Sequence, residues 1–115
     1  MPGSAEKAVQ NHKSGMPCSV AVLNAFCEEA GLTEDAARQI ARPFAGGRMG
    51  KCGAVLAAEY VLTQKYGDAA QEKIDALEAA FAAQHGSVLC RELRMQGFHV
   101  CRECVRDAAA LLENS

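Results

Sequence analysis

The chain has 115 residues, half of them apolar, with 12 Lys and Arg against 14 Asp and Glu for a net charge of −2. That length bounds a single small domain, residues 1–115, and the weakly acidic balance argues against nucleic acid as a partner, because neutralising phosphates takes a basic face. No apolar run approaches the roughly 20 residues of a membrane span, and MPGSAEKAVQ has neither the basic nor the apolar region of a secretory signal, so no membrane partner is expected and the expected compartment is the cytoplasm.

In chain order, helix signals dominate and alternating strand patterns are absent. A first, peripheral helix is predicted over Ser4–Lys13, ending at Ser14-Gly15. Pro17 suits a first helical position, and Pro17–Ala30 is apolar almost all round until Gly31. Thr33 can cap a third helix with Glu34 and Asp35 in its first turn, and Pro43 ends it. A Gly-rich turn follows, then a helix over Lys51–Tyr66 that stops at Gly67. Asp68-Ala-Ala-Gln71 has the pattern of a capping box for an Ala-rich helix closing at Gly86. Ser87 can cap a short helix, Val88–Met95, and a last helix runs from about Cys101 to Glu113. The expected fold is therefore all-α, a compact bundle of six or seven short helices. Many interior-facing positions are Ala and only 6 residues are aromatic. Each small side chain buries little area, so a homodimer or a bound cofactor would help such a core.

The turn before the fourth helix, FAGGRMGKCGAV, approximates a phosphate-binding loop. Aligned on Gly50-Lys51, however, the first glycine of that pattern falls on Ala45, and the Mg²⁺-binding hydroxyl on Cys52. A soft thiol suits hard Mg²⁺ poorly, and a helix precedes the turn where the pattern needs a strand. The physics of the turn survives the mismatch. Gly46, Gly47, Gly50 and Gly53 allow close approach of main-chain N–H groups. The positively polarised start of a helix follows, and with Lys51 alongside it favours the thiolate of Cys52.

Six cysteines are the main compositional anomaly. They fall below the roughly 8–10% of a disulfide scaffold, and in a reducing compartment such a number points to metal binding or redox chemistry. Cys18, Cys52, Cys90 and Cys101 all fall at predicted helix starts. Cys27, nine residues beyond Cys18, turns to the opposite helix face and reads as packing. Cys104 shares a face with Cys101 in a CxxC motif suited to a dithiol or to two metal ligands. His12 and His99 lie near Cys18 and Cys101 in sequence, but each reads better as a surface residue than as a base or ligand. His85 suits the last turn of its helix.

These contexts resemble a family of small bacterial and archaeal proteins described as redox-active, the C_GCAxxG_C_C family, whose members share four cysteines and a CGAxxG core. Gly15-Met-Pro-Cys18 through Gly31-Leu32 looks like its first cysteine helix. Phe44 through Val55 looks like its Gly-rich turn and second cysteine, Cys90-Arg-Glu-Leu93 the third, and Cys101 with Val105 and Ala108 the fourth. The quartet is then Cys18, Cys52, Cys90 and Cys101, with Cys27 and Cys104 additional and with Ala57 where the core motif ends in Gly. Similar cysteine patterns occur in proteins related to split-Soret-type cytochromes, where iron–sulfur ligation is implied.

Three functions follow as expectations. The first is a thiol redox protein exchanging with an unknown redox partner protein, with Cys52 as nucleophile and Cys101 or Cys104 resolving it. The second is an iron–sulfur or zinc module with Cys18, Cys52, Cys90 and Cys101 as ligands and the Gly46–Gly53 backbone around the cluster. The third is a helical partner-binding domain with inert cysteines.

Overall fold

The computed structural model describes residues 4–47, 50–89, 92–93, 95 and 100–113, and of residues 4, 45–47, 100 and 101 the backbone alone. Its elements are α1 (Ser4–Lys13), α2 (Cys18–Ala25), α3 (Glu34–Ala41), α4 (Gly53–Tyr66), α5 (Ala70–His85) and α6 (Val100–Glu113), with 3-10 turns at Arg42–Gly47 and Gly67–Ala69. Among the described residues the only extended pairing is one isolated antiparallel bridge, Lys51 with Leu89. The all-α expectation holds for these residues.

Local signals account for many of the ends. Thr33 caps α3, its Oγ1 accepting from the Ala36 N–H at 3.2 Å, and α3 gives way before Pro43, which cannot supply the next N–H. Gly86 closes α5 in the left-handed region at φ 85°, its N–H bonded to the Ala82 carbonyl.

Four boundaries depart from the sequence reading, each for an identifiable reason. Pro17 caps α2 from outside at ψ 155°, so Cys18 opens the helix. That helix stops at Ala25, well short of Ala30. Cys27 N–H bonds to the Asn24 carbonyl three residues back, and the chain continues as turns. Gly31 ends those turns rather than the helix, with Leu32 N–H reaching back to the Cys27 carbonyl at 2.8 Å. The fourth helix starts at Gly53, not Lys51, because Lys51 is held in the bridge and Cys52 N–H donates to the Val88 carbonyl at 2.7 Å. The capping box at Asp68–Gln71 does not form. Asp68 lies in the 3-10 turn, Ala70 N–H bonds to the Gly67 carbonyl, and Gln71 Nε2 donates forward to Asp75 Oδ1 at 2.8 Å. Of the short helix expected at Val88–Met95, positions 90, 91 and 94 lie outside the described residues, Leu89 is held in the bridge to Lys51 rather than in a helix, and Leu93 N–H bonds to the Leu89 carbonyl at 3.0 Å.

Packing is built around α2, α4 and α6, each in contact with the other two. Residues Ser19–Ala25 of α2 are buried in succession, so the segment that is apolar all round is the centre of the molecule. Fully buried alanines at Ala21, Ala54, Ala57, Ala58 and Ala108 keep the helix axes close, while Leu23, Phe26, Leu62, Phe81 and Leu112 fill the space between them. Ala57, the departure from the glycine of the core motif, sits in this interior with its methyl fully enclosed. α1 lies across α2 and α6, α3 and its 3-10 turn pack on α2, and α5 covers α4 and α6. The molecule measures 34 × 32 × 29 Å, and no described helix is long and apolar enough to cross a membrane.

Candidate functional site

The structure brings Cys18 to the start of α4. A Cβ built on Gly53 would come within 2.8 Å of Cys18 Sγ, 2.9 Å of the Phe44 carbonyl oxygen and 3.2 Å of Ser19 Cβ. The first two are distances that real Cβ atoms do not tolerate, so only glycine lets α2 and the 3-10 turn seat against α4 here. Cys52 is the residue immediately before Gly53, at the N-cap of α4 and with no side-chain cap bond. Cys18 and Cys52 are thus carried to one helix terminus, the first from α2 and the second from the turn. Cys18 is half-buried, whereas Cys52 is only 6% exposed.

Ser19 fixes this seat. Its buried hydroxyl donates to the Ala41 carbonyl at 2.7 Å, tying α2 to the end of α3 and hence to the turn that follows. A carbonyl near a helix end is one of the groups a helix leaves unsatisfied, and the serine satisfies it without water.

On the other side of Cys52, the Lys51–Leu89 bridge and the bond to Val88 lay the chain at 88–89 along the turn. Lys51 is anchored through its side chain as well. Its Nζ lies 2.7 Å from Glu78 Oε2 on α5 and 3.4 Å from both oxygens of Glu59 on α4. Burial, with a hydrogen bond to Glu78, pushes the Glu59 carboxyl up to about 7. Hydrogen bonding to Glu59 foremost, then to Lys51, holds Glu78 below its ordinary value. The cluster therefore keeps a proton on Glu59 through mildly acidic pH, while Glu78 carries the charge opposite Lys51. Sequence reasoning did not single out either glutamate. A signal was present, since Glu59 is the only charge between Gly53 and Gln64.

The remaining candidates fall elsewhere. Cys27 is buried in the turns after α2, and Cys104 is buried on α6 at 1% exposure. Cys90 and His99 lie outside the described residues, and Cys101 contributes its backbone to the first turn of α6. Gly46 and Gly47 belong to the 3-10 turn, and Gly50 takes φ 89°, a value that suits glycine. His12 is half-buried on α1, where burial and then the charge of Arg102 lower its pKa. His85 stacks on Phe81 with ring centroids 4.5 Å apart, and its Nε2 meets Asp107 Oδ2 at 2.8 Å, joining α5 to α6. Among the described residues no three His, Cys, Asp or Glu side chains gather as a metal site would require.

The family described as "Putative redox-active protein (C_GCAxxG_C_C)" matches residues 16–115, from the turn before α2 to the end of the chain. No curated protein and no solved structure matches the chain.

Proposed function

Because the chain belongs to the C_GCAxxG_C_C family, we propose that it is a thiol redox protein in which Cys18 leads and Cys52 resolves. The observation that carries this reading is the seat of Cys18 Sγ against Gly53, next to Cys52. Cys18 is the first residue of α2 and lies on the first turn of α4. Two helix N-termini thus offer partial positive charge to a sulfur there, which favours thiolate. Exposure supports Cys18 over Cys52 as the attacking thiol, because a mixed disulfide needs access, whereas the sequence expectation has Cys52 as nucleophile with Cys101 or Cys104 resolving it.

In the proposed cycle, the Cys18 thiolate attacks a disulfide of the partner protein. A bond forms between Cys18 Sγ and one partner sulfur, and the partner's S–S bond breaks to release a thiolate. The Cys52 thiolate then attacks Cys18 Sγ, forming the Cys18–Cys52 disulfide and releasing the second partner thiolate. The protons lost by the two cysteines end on the two partner thiols. Two electrons pass from this chain to the partner, and the cycle runs backwards when the partner is the reductant. Cys90 and Cys101 complete the quartet as a second dithiol. The family pattern of four cysteines supports this. The cysteine usage suits the reducing cytoplasm. Cys104, enclosed in the core, fits a packing role better than a resolving one.

Iron–sulfur or zinc ligation is the alternative reading, and it would need Cys90 and Cys101, whose side chains lie outside the described residues, to join Cys18 and Cys52 in a tetrahedral set. The test of both readings is one preparation. Protein purified without oxygen is expected to be colourless and metal-free, and to form a mixed disulfide with a neutral disulfide reagent. Cys18→Ser abolishes that adduct, whereas Cys52→Ser lets it accumulate on Cys18. Stoichiometric iron or zinc, or an adduct rate indifferent to Cys18→Ser, overturns the proposal.

A further inference from the structure

Around Pro17 the surface carries a shallow groove of about 360 Å³. Met16, Pro17 and Val20 line it with apolar surface, with Arg38 from α3 and Arg42 from the C-cap one turn later, its N–H bonded to the Arg38 carbonyl. Pro17 is the chain neighbour of Cys18, so the groove opens one residue from the proposed attacking thiol. A second depression of similar size, between α1 and α6, carries Glu6 beside Lys13 and Arg106, and Arg106 is already paired with Asp107 at 3.0 Å, so its charge is mixed.

The two arginines are the informative feature. Four residues apart on a helix, they share a face, where like charges destabilise. Their position at the end of α3 favours positive charge through the helix dipole, which accounts for the sign but not for an apolar lining between them and Pro17. Arg38 reaches Asp35 at only 3.9 Å with both side chains exposed, a contact that water and salt screen. Arg42 makes no ion pair among the described residues. On a chain of net charge −2, this is a local cationic rim with unspent guanidinium donors, whose planar geometry suits carboxylates.

We infer that this groove docks a carboxylate-rich polypeptide segment of the redox partner, holding the segment's disulfide over Cys18. The apolar lining takes the segment's uncharged side chains, and Arg38 and Arg42 take its carboxylates. The inference rests on Cys18 being the attacking thiol.

The experiment uses two short synthetic peptides of equal length, one Glu-rich and one Lys-rich, each with a single cysteine carried as a mixed disulfide with thiopyridine. Thiopyridone release reports the exchange rate. The intact protein is expected to react about ten-fold faster with the Glu-rich peptide at low salt, within the range of electrostatic steering, and the ratio falls as salt rises. In the Arg38→Gln/Arg42→Gln protein the ratio falls towards one, while the rate with neutral dithiodipyridine is unchanged. A ratio that ignores the two arginines overturns the inference. So does an equal advantage for oxidised glutathione, which makes the rim a site for small acids. Failure of the thiol assignment shows separately, as exchange that persists in Cys18→Ser. The groove is then judged by binding of the Glu-rich peptide with its cysteine replaced by serine, which must still require both arginines.

Discussion

Gly53→Ala isolates the contact on which the site depends. Helix propensity alone makes this change favourable by up to ~1 kcal/mol, since glycine is a poor helical residue. The packing opposes it, because the new methyl would stand 2.8 Å from Cys18 Sγ and 2.9 Å from the Phe44 carbonyl oxygen. The carbonyl cannot withdraw cheaply because it belongs to the backbone, and the sulfur can give way only by turning about its single side-chain torsion, out of its seat against α4. Overpacking of this kind costs about 1–3 kcal/mol, so the expected net effect is a loss of about 1–2 kcal/mol, read by denaturant unfolding. The same substitution in a Cys18→Ala background should cost less, because the sulfur is gone and only the carbonyl clash remains. Gly50→Ala is the control, with open space around a Cβ but φ 89°. It should lose stability through backbone strain alone and leave the reaction rate of Cys18 intact. If Gly53→Ala is neutral or stabilising, or if its cost is the same with and without the sulfur, Cys18 does not sit against α4 as described.

Three further outcomes follow from the same structure. Glu59 is raised from 4.5 to about 7, so it keeps a proton that the unfolded chain gives up. Its contribution is full below pH 4.5 and is lost as pH rises to about 7, while Glu78, shifted down, acts below that window. Glu59→Gln should therefore flatten the fall in stability between about pH 4.5 and 7, measured by denaturant midpoints across pH. Burial works to raise the Asp107 carboxyl, but hydrogen bonds from Arg106 and His85 outweigh it and hold it below 3.8. Stability from this group is present above that pH and lost as pH falls further, so Asp107→Asn should unfold with a shallower acid limb in a pH titration followed by circular dichroism. Ser19→Ala strips the Ala41 carbonyl of its 2.7 Å partner and should cost about 1 kcal/mol in the thermal or denaturant midpoint, where an unchanged midpoint would mean that water replaces the hydroxyl.

What the sequence disclosed and what it withheld divides along the range of the forces involved. Thr33 and Gly86 act within a turn of their own chain, and both ends were legible from residue type. Asp68–Gln71 carries an equally local pattern that did not form, because the 3-10 turn at Gly67–Ala69 supplied a backbone partner first. The start of α4 was misplaced by two residues because Lys51 and Cys52 are drawn off the helix by Val88 and Leu89, a pairing that no local window contains. At the site, glycine at position 53 announced that something approaches closely. Only the fold shows that it is a cysteine sulfur and a carbonyl. Glu59 is a lone charge on an apolar helix, a signal the sequence reading passes over, and its meaning comes from Glu78 on α5 and Lys51 before α4, which meet it through folding.

The central claim, that Cys18 and Cys52 form one exchanging pair, is tested most directly by locating the disulfide that forms first. Reduced protein treated with a limiting amount of neutral disulfide reagent, quenched with acid and mapped by tandem mass spectrometry, should contain a Cys18–Cys52 link. The Cys52→Ser protein treated alike should instead retain the reagent on Cys18. A first link that omits Cys18, or a Cys52→Ser protein whose adduct resolves as fast as before, contradicts the account.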